Sequence, residues 1–454
     1  MSNLSPYRPR SPKLSPLYQL AEDYNEQLEL SYKLKYQSYY GFYRTIVRDV
    51  LFRFLDCGNL RNGFRTARCD NCGVNHILPY SCKKSFCPSC SQRHSLEFAE
   101  NMVNHIISGI PVRSITLTIP KRIRIFFNYD HSLFQKLSHS AYETFFELYR
   151  EILENKNMIP GMVCSIHTYG KLVNLHPHVH ALVSEGAYER DGSFHHISYM
   201  PSRSQLEELF TLNVLRMLVK EEKISGNVAD NILNWKHSGF NVYVGASIHP
   251  EDKEIRERAA AYLIHPAISL EKMRYLPEEG RVVYGDRRAS KSFNALDFLA
   301  MAVSHIPDKN ERRIAYYGWW SNKTRGMRKK TESAGNIIIN LEHSICPMML
   351  KKKWAYFIRK VWGADPEKCL KCGGKMIITG YEEDPVRVKN ILISLNLWEM
   401  PANTRPPPFC FFEEPALIEY TEIVSENTFR DIDPGWDAYL KSEPFYEEKF
   451  ITVD

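Results

Sequence analysis

Two Cys-x-x-Cys knuckles, Cys69-Asp-Asn-Cys72 and Cys87-Pro-Ser-Cys90, lie fourteen residues apart and constrain this chain more than any other feature. A knuckle turn sets two thiolates on one side of a cation, and a second knuckle closes a tetrahedral zinc site. Gly73 follows the first pair, as a tight turn wants. The four cysteines are therefore expected to hold a structural Zn2+. Cys82 inside the loop and His94 beyond it are substitutes for one of the four. Lys83, Lys84, Arg93 and His94 surround the knuckles and give the module a DNA-facing character. A further pair, Cys369-Leu-Lys-Cys372, has only Cys346 and Cys410 nearby and reads more simply as turn or core cysteines.

Composition supports this. The chain has 454 residues, 44% hydrophobic and 25% charged, as expected for two to four globular domains. Residues 411–454 hold twelve acidic and three basic side chains, so residues 1–410 carry 56 basic against 41 acidic, a net +15. A basic body fits a polyanionic partner. The N-terminus has no apolar signal segment, and no apolar run approaches the ~18 residues of a membrane span. The longest apolar run lies around Leu296 to Val303. The expected location is a reducing cytoplasm, where close cysteine pairs point to metal rather than disulfides.

Periodicity gives the layout. Tyr43, Ile46, Val50, Leu51 and Phe54 recur at helical spacing, so residues 16–56 are read as helices after a disordered 1–15. Arg113–Arg122, Val163–Gly170, His178–Gly186 and Phe240–Ile248 read as strands; 130–155, 204–235 and Pro250–Leu263 read as helices. Strands alternating irregularly with helices predict an α+β fold, an antiparallel sheet with packed helices. The expected divisions are 1–56 (tail and helices), 57–105 (zinc-ribbon-like module), 106–304 (sheet domain), 305–400 (basic C-terminal region) and 401–454 (Pro-rich, then acidic, tail).

His176-Pro-His178-Val-His180 opens a strand. Alternation puts His178 and His180 on one face and Val179 on the other. If the preceding strand pairs antiparallel across the Gly170–Leu175 loop, His167 falls opposite that pair. Three imidazoles would then converge with coordination positions left open, as in a catalytic rather than a structural metal site. Tyr262 sits on a helical stripe with Ile255, Ala259 and Leu263; with 26 tyrosines in the chain, spacing alone does not single it out. Tyr316, Tyr317, Trp319 and Trp320 precede Lys323, Arg325, Arg328, Lys329 and Lys330, a combination able to stack and track single-stranded DNA.

Taken in order, Ser81–Cys90, His167–Gly186, Ala261–Met273, Tyr316–Gly326 and Asp365–Gly380 resemble the motifs of the bacterial rolling-circle transposases of the "ninety-one" insertion-sequence group. The resemblance spans roughly residues 40–380. It implies an HUH nuclease domain (His, hydrophobic, His) with a four- or five-stranded antiparallel sheet. His178 and His180 would ligate catalytic Mg2+ or Mn2+, with His167 as third ligand and Tyr262 as nucleophile. The partners it implies are single-stranded DNA at element ends and target, and a 5′-phosphotyrosine is its intermediate. Many such proteins carry two tyrosines four residues apart; here that second position is Pro266, so the chain resembles a single-tyrosine type. Strand transfer would then use a second protomer or the freed 3′-hydroxyl. Two other readings compete: a plasmid relaxase or replication initiator with the same chemistry, and a non-catalytic zinc-ribbon DNA-binding protein. The chain has no G-x-x-x-x-G-K-[ST] helicase loop, no H-E-x-x-H and no G-x-S-x-G.

Overall fold

The computed structural model describes residues 5–6, 12–235, 238–286, 289–335, 364–365 and 367–398. The 401–454 tail, Cys346 and Cys410 lie outside the described residues, as does most of the 1–15 segment.

The fold is α+β, as the irregular alternation predicts. Its centre is an antiparallel sheet of β3 (Val112–Thr118), β4 (Ile159–Tyr169), β5 (Leu175–Tyr188), β7 (Asn241–Ile248) and β11 (Ile314–Gly318), in the order β11-β4-β5-β3-β7. A short β6 (Phe194–His196) adds to the end of β5, making six strands where the resemblance implied four or five. Most residues of β4 and β5 are buried on both faces, because helices cover both sides. On one face Leu117, Ile166, Val179, Ala181 and Val183 pack against α5 (Ser132–Ile152) and α6 (Arg203–Lys220). On the other, Val112, Val163 and Leu182 meet α3 (Pro88–His105) and α8 (Lys253–Tyr262). His178 and His180 share the parity of Leu182, so β5 presents them beneath α8. Asp252 occupies the N-cap position of α8, which places Pro250 before the helix rather than at its first position.

A second core joins the N-terminus to the segment after α8. Leu17, Leu20, Tyr24 and Leu28 of α1 (Pro16–Lys35) and Val50, Leu51 and Phe54 of α2 (Thr45–Leu55) pack on α9 (Ala295–Ser304) and on a small sheet, β8 (Met273–Leu276), β9 (Arg281–Asp286) and β10 (Ala289–Asn294). The long apolar run is thus α9, which buries nearly every residue. Tyr36 Oη donates to Asp297 at 2.6 Å, and Tyr275 Oη to Asp23 at 2.6 Å. Among the described residues, no helix is long and apolar enough to cross a membrane.

Two described segments within 305–400 pair with strands that come earlier in the chain. β11 completes the central sheet on the outer edge of β4, with Tyr316 opposite Val163 and Gly318 opposite Gly161. Farther on, β12 (Met376–Glu382) pairs with β1 (Phe64–Cys69) of the cysteine module, which in turn pairs with β2 (Asn75–Pro79). Basic composition describes a solvated surface and is blind to such pairings. Gly318 turns the chain off the sheet at φ +56°, and a Cβ there would lie 1.9 Å from the Pro160 carbonyl oxygen. Gly318→Ala is therefore expected to cost about 2–3 kcal/mol or more, from left-handed strain plus a backbone clash. Denaturant unfolding against wild type checks this; a change under about 0.5 kcal/mol would refute it.

Candidate active site and zinc sites

The register of β4 and β5 places His167 directly opposite His178, and Ser165 opposite His180. On the other side Thr116 of β3 faces His180 and Thr118 faces His178. The convergence expected of His167, His178 and His180 is therefore present: one ligand atom from each lies within 4.8 Å of the others. All three rings are buried. His178 Nδ1–H donates to the His176 carbonyl at 2.7 Å, which leaves its Nε2 lone pair 2.8 Å from Nε2 of His180. His180 Nδ1 engages Thr116 Oγ1 at 3.1 Å. His167 Nε2–H donates to the Leu263 carbonyl at 3.2 Å, and Tyr169 Oη donates to the His265 carbonyl at 2.6 Å, so β4 holds the end of α8 twice. Burial, reinforced by the neighbouring imidazoles, holds His167 and His180 well below the usual histidine range. Buried, converging and each oriented through a second atom, these donors suit a divalent cation.

Tyr262 ends α8 over this cluster. Its ring centroid is 4.9 Å from that of His180, edge to face, and 5.8 Å from that of His167. The His265 ring centroid is 5.7 Å from that of Tyr262. The tyrosine helix leans on the cysteine module: Ser95 Oγ of α3 donates to the Ala261 carbonyl at 3.0 Å, and Arg256 Nη1 to the Ile110 carbonyl at 2.8 Å.

Sequence reasoning missed Arg124, on α4 (Lys121–Tyr129). Its Nε donates to the Ile119 carbonyl at 3.1 Å, and burial pulls its pKa down to about 10. Burial, then His178 and Arg124, push His176 down to about 2. A half-buried cation thus flanks the histidines. Its only sequence signal is the Lys-Arg-Ile-Arg run, which reads merely as the end of a strand.

The cysteines sort differently from the expected pairing of the two knuckles. Cys87 and Cys90 converge with Cys57 and Cys82, whereas Cys69 and Cys72 converge with Cys369 and Cys372. In the first cluster the Sγ separations are 3.8 Å (Cys57–Cys90), 3.7 Å (Cys82–Cys90) and 3.7 Å (Cys57–Cys87). With Zn–S near 2.3 Å, the edge of a tetrahedron of sulfurs is about 3.8 Å, so the geometry fits zinc. Cys82, one of the two substitutes, joins this cluster; His94 is exposed and joins neither. The β1–β2 hairpin carries the first knuckle away from the second, which explains why nearness in sequence misleads here.

The expected nucleic-acid contacts scatter. Lys83 is exposed, but Lys84 pairs with Asp49 at 3.2 Å and Arg93 with Glu97 at 2.8 Å. Lys323 is exposed, and Arg325 lies over Tyr316, 5.3 Å from its centroid. Tyr317 and Trp319 are not open stacking platforms. Tyr317 lies flat on Tyr142, centroids 5.0 Å apart, with its hydroxyl 2.9 Å from Ser138 Oγ. Trp319 is 8% exposed, stacks on Tyr188 at 4.7 Å and is covered by Arg328 at 4.1 Å. Both belong to the edge of the sheet, where their aromatic area is spent on the core. The side chains of Lys329 and Lys330 lie outside the described residues.

Comparison with known proteins agrees with this arrangement. A family model described as "Putative transposase" matches residues 161–328, which contain the three histidines, Tyr262 and β11. One described as "Transposase zinc-binding domain", of the IS91 type, matches residues 29–119. The chain is 22% identical over 357 residues to the "Transposase for insertion sequence element IS801" of Pseudomonas savastanoi pv. phaseolicola, covering 75% of this chain and 85% of that protein. It is also 22% identical over 320 residues to the "Putative transposase y4qJ" of Sinorhizobium fredii (strain NBRC 101917 / NGR234), covering 64% and 79%. No solved structure matches. With a zinc-binding module at its N-terminus leaning on the helix that carries Tyr262, the chain carries the zinc-binding and transposase domains of IS91-type insertion-sequence transposases.

Proposed function

We propose that this transposase cuts single-stranded DNA at the ends of its element and at its target through a covalent 5′-phosphotyrosine at Tyr262, in the manner of rolling-circle enzymes. The observation that carries the reading is the placement of the Tyr262 ring 4.9 Å from His180 of the three-histidine cluster. His178, His180 and His167 would hold Mg2+ or Mn2+, which when bound polarises the scissile phosphate and offsets its developing charge. Arg124 binds a non-bridging phosphate oxygen from the side of His176. A phenol titrates near ~10, so Tyr262 needs a proton acceptor, and His265 serves. The phenol oxygen attacks phosphorus and its proton passes to His265. The bond from phosphorus to the 3′-oxygen breaks, and that oxygen leaves as a hydroxyl after taking up a proton. The reverse attack by a 3′-hydroxyl on the phosphotyrosine rejoins strands without ATP. With Pro266 where a second tyrosine would stand, transfer uses that hydroxyl or the tyrosine of a second protomer. Lys83, Lys323 and Arg325 are the cations proposed to follow the DNA backbone.

The test incubates the full-length protein with labelled single strands spanning the element ends, in Mn2+ or EDTA, and scores a denaturation-resistant adduct. His178→Ala and His180→Ala are expected to lower its formation about 100-fold or more. Thr116→Val keeps the shape but removes the partner of His180 Nδ1; it is expected to weaken Mn2+ binding about 10–100-fold and to recover at high Mn2+. Adduct formation in EDTA equal to that in Mn2+ would remove the metal from the mechanism.

A further inference from the structure

We propose that this chain binds a second zinc ion, between Cys69, Cys72, Cys369 and Cys372, and that this ion clasps the segment around residues 364–398 onto the N-terminal module. The family match for the zinc-binding domain stops at residue 119 and the transposase match at 328, so neither reaches Cys369 or Cys372.

The two knuckles are near copies. Each reads Cys-x-x-Cys-Gly, and each glycine is left-handed, Gly73 at φ +70° and Gly373 at φ +69°. Gly73 N–H donates to the Cys69 carbonyl at 3.1 Å, and Gly373 N–H to the Cys369 carbonyl at 2.9 Å. Backbone N–H groups also aim at the sulfurs: Cys72 at Cys69 Sγ (3.5 Å), Lys371 at Cys369 Sγ (3.4 Å) and Gly374 at Cys372 Sγ (3.4 Å). Such bonds favour thiolates. Across the pair, Cys69 Sγ is 3.5 Å from Cys372 Sγ, and Cys72 Sγ is 3.6 Å from Cys369 Sγ. That is far beyond a disulfide at about 2.05 Å and close to the ~3.8 Å sulfur edge of a zinc tetrahedron. Gly374 keeps the cradle open, since a Cβ there would stand 3.1 Å from Cys69 Sγ and 3.2 Å from Cys372 Sγ.

The register of β12 on β1 delivers the second knuckle to the first. Met376 lies opposite Cys69, and Asp70 N–H donates to the Lys375 carbonyl at 3.0 Å. Without a cation, four thiols facing one another would be a poor reason for that approach. Cys72 and Cys372 are exposed, whereas three of the four cysteines of the first cluster are buried. The clasp zinc is therefore the one that chelators reach first.

The experiment measures zinc per chain in full-length protein purified without chelator, then follows release to a chromogenic chelator. Wild type is expected to hold two zinc ions and lose them in two phases. Cys369→Ser/Cys372→Ser should hold one and lack the fast phase, and β12 amides should exchange hydrogen faster. Cys372→His should keep two ions and, loaded with Co2+, shift the thiolate charge-transfer band. One zinc per chain in wild type after incubation with excess Zn2+ would overturn the proposal, as would two zinc ions retained by Cys369→Ser/Cys372→Ser. Should that double variant not fold, one-phase release of a single ion from wild type decides against it. None of these readouts depends on DNA cleavage, so the clasp stands or falls apart from the tyrosine mechanism.

Discussion

Tyr262→Phe in the full-length chain is expected to abolish the covalent protein–DNA adduct and lower strand cleavage by about 10³-fold or more, while single-strand binding stays within a few-fold of wild type. The change removes one oxygen. The ring keeps its place against His180 and His167, and α8 keeps its bonds to β4 through the Leu263 and His265 carbonyls. A loss of binding equal to the loss of cleavage would mean that the hydroxyl holds DNA rather than attacks it. An adduct that persists in Tyr262→Phe would move the nucleophile to another tyrosine. His265→Ala separates the roles further, since a proton acceptor affects the pH profile of cleavage and a structural residue does not.

The largest effect on stability is expected from Cys87→Ser/Cys90→Ser. These cysteines sit in the N-terminal core with Cys57, Leu51 and Phe54. Structural zinc contributes apparent binding free energies of about 10–16 kcal/mol to small zinc modules, comparable with the whole net stability of a domain, about 5–15 kcal/mol. The variant should expose the α1–α2 core, seen as dye binding and proteolysis within residues 16–105. It should also lose cleavage, although neither cysteine touches DNA in the proposed reaction. Cys87 precedes α3, and α3 carries Ser95, which donates to the Ala261 carbonyl one residue before Tyr262. A variant that stays folded and cleaves at the wild-type rate would show that the cluster is dispensable to both.

The histidine cluster shows how far local pattern reaches. His178 and His180 share a face in any strand, because alternation is a property of the extended backbone. His167 could join them because the Gly170–Leu175 connection is too short for the strands to pair otherwise than antiparallel. The helices at 16–56, 130–155 and 204–235 were legible for the same reason: their apolar spacing is a local, periodic property. Where partners lie far apart in the chain, the sequence by itself determined only the residue types available. Cys57 and Cys82 carry no knuckle signal, and Cys369 joins Cys72 across 297 positions; these meetings were decided by the β1–β12 pairing and by the packing of α2 beside α3. Trp319 and Tyr317 read as a stacking track because an aromatic beside a basic run looks alike whether it faces water or a sheet. Only the edge position of β11, with Tyr142 and Tyr188 waiting beneath it, turned them inward. Local periodicity is written in neighbouring residues, whereas burial and metal-ligand sets depend on contacts between residues hundreds of positions apart, which the tertiary fold alone assembles.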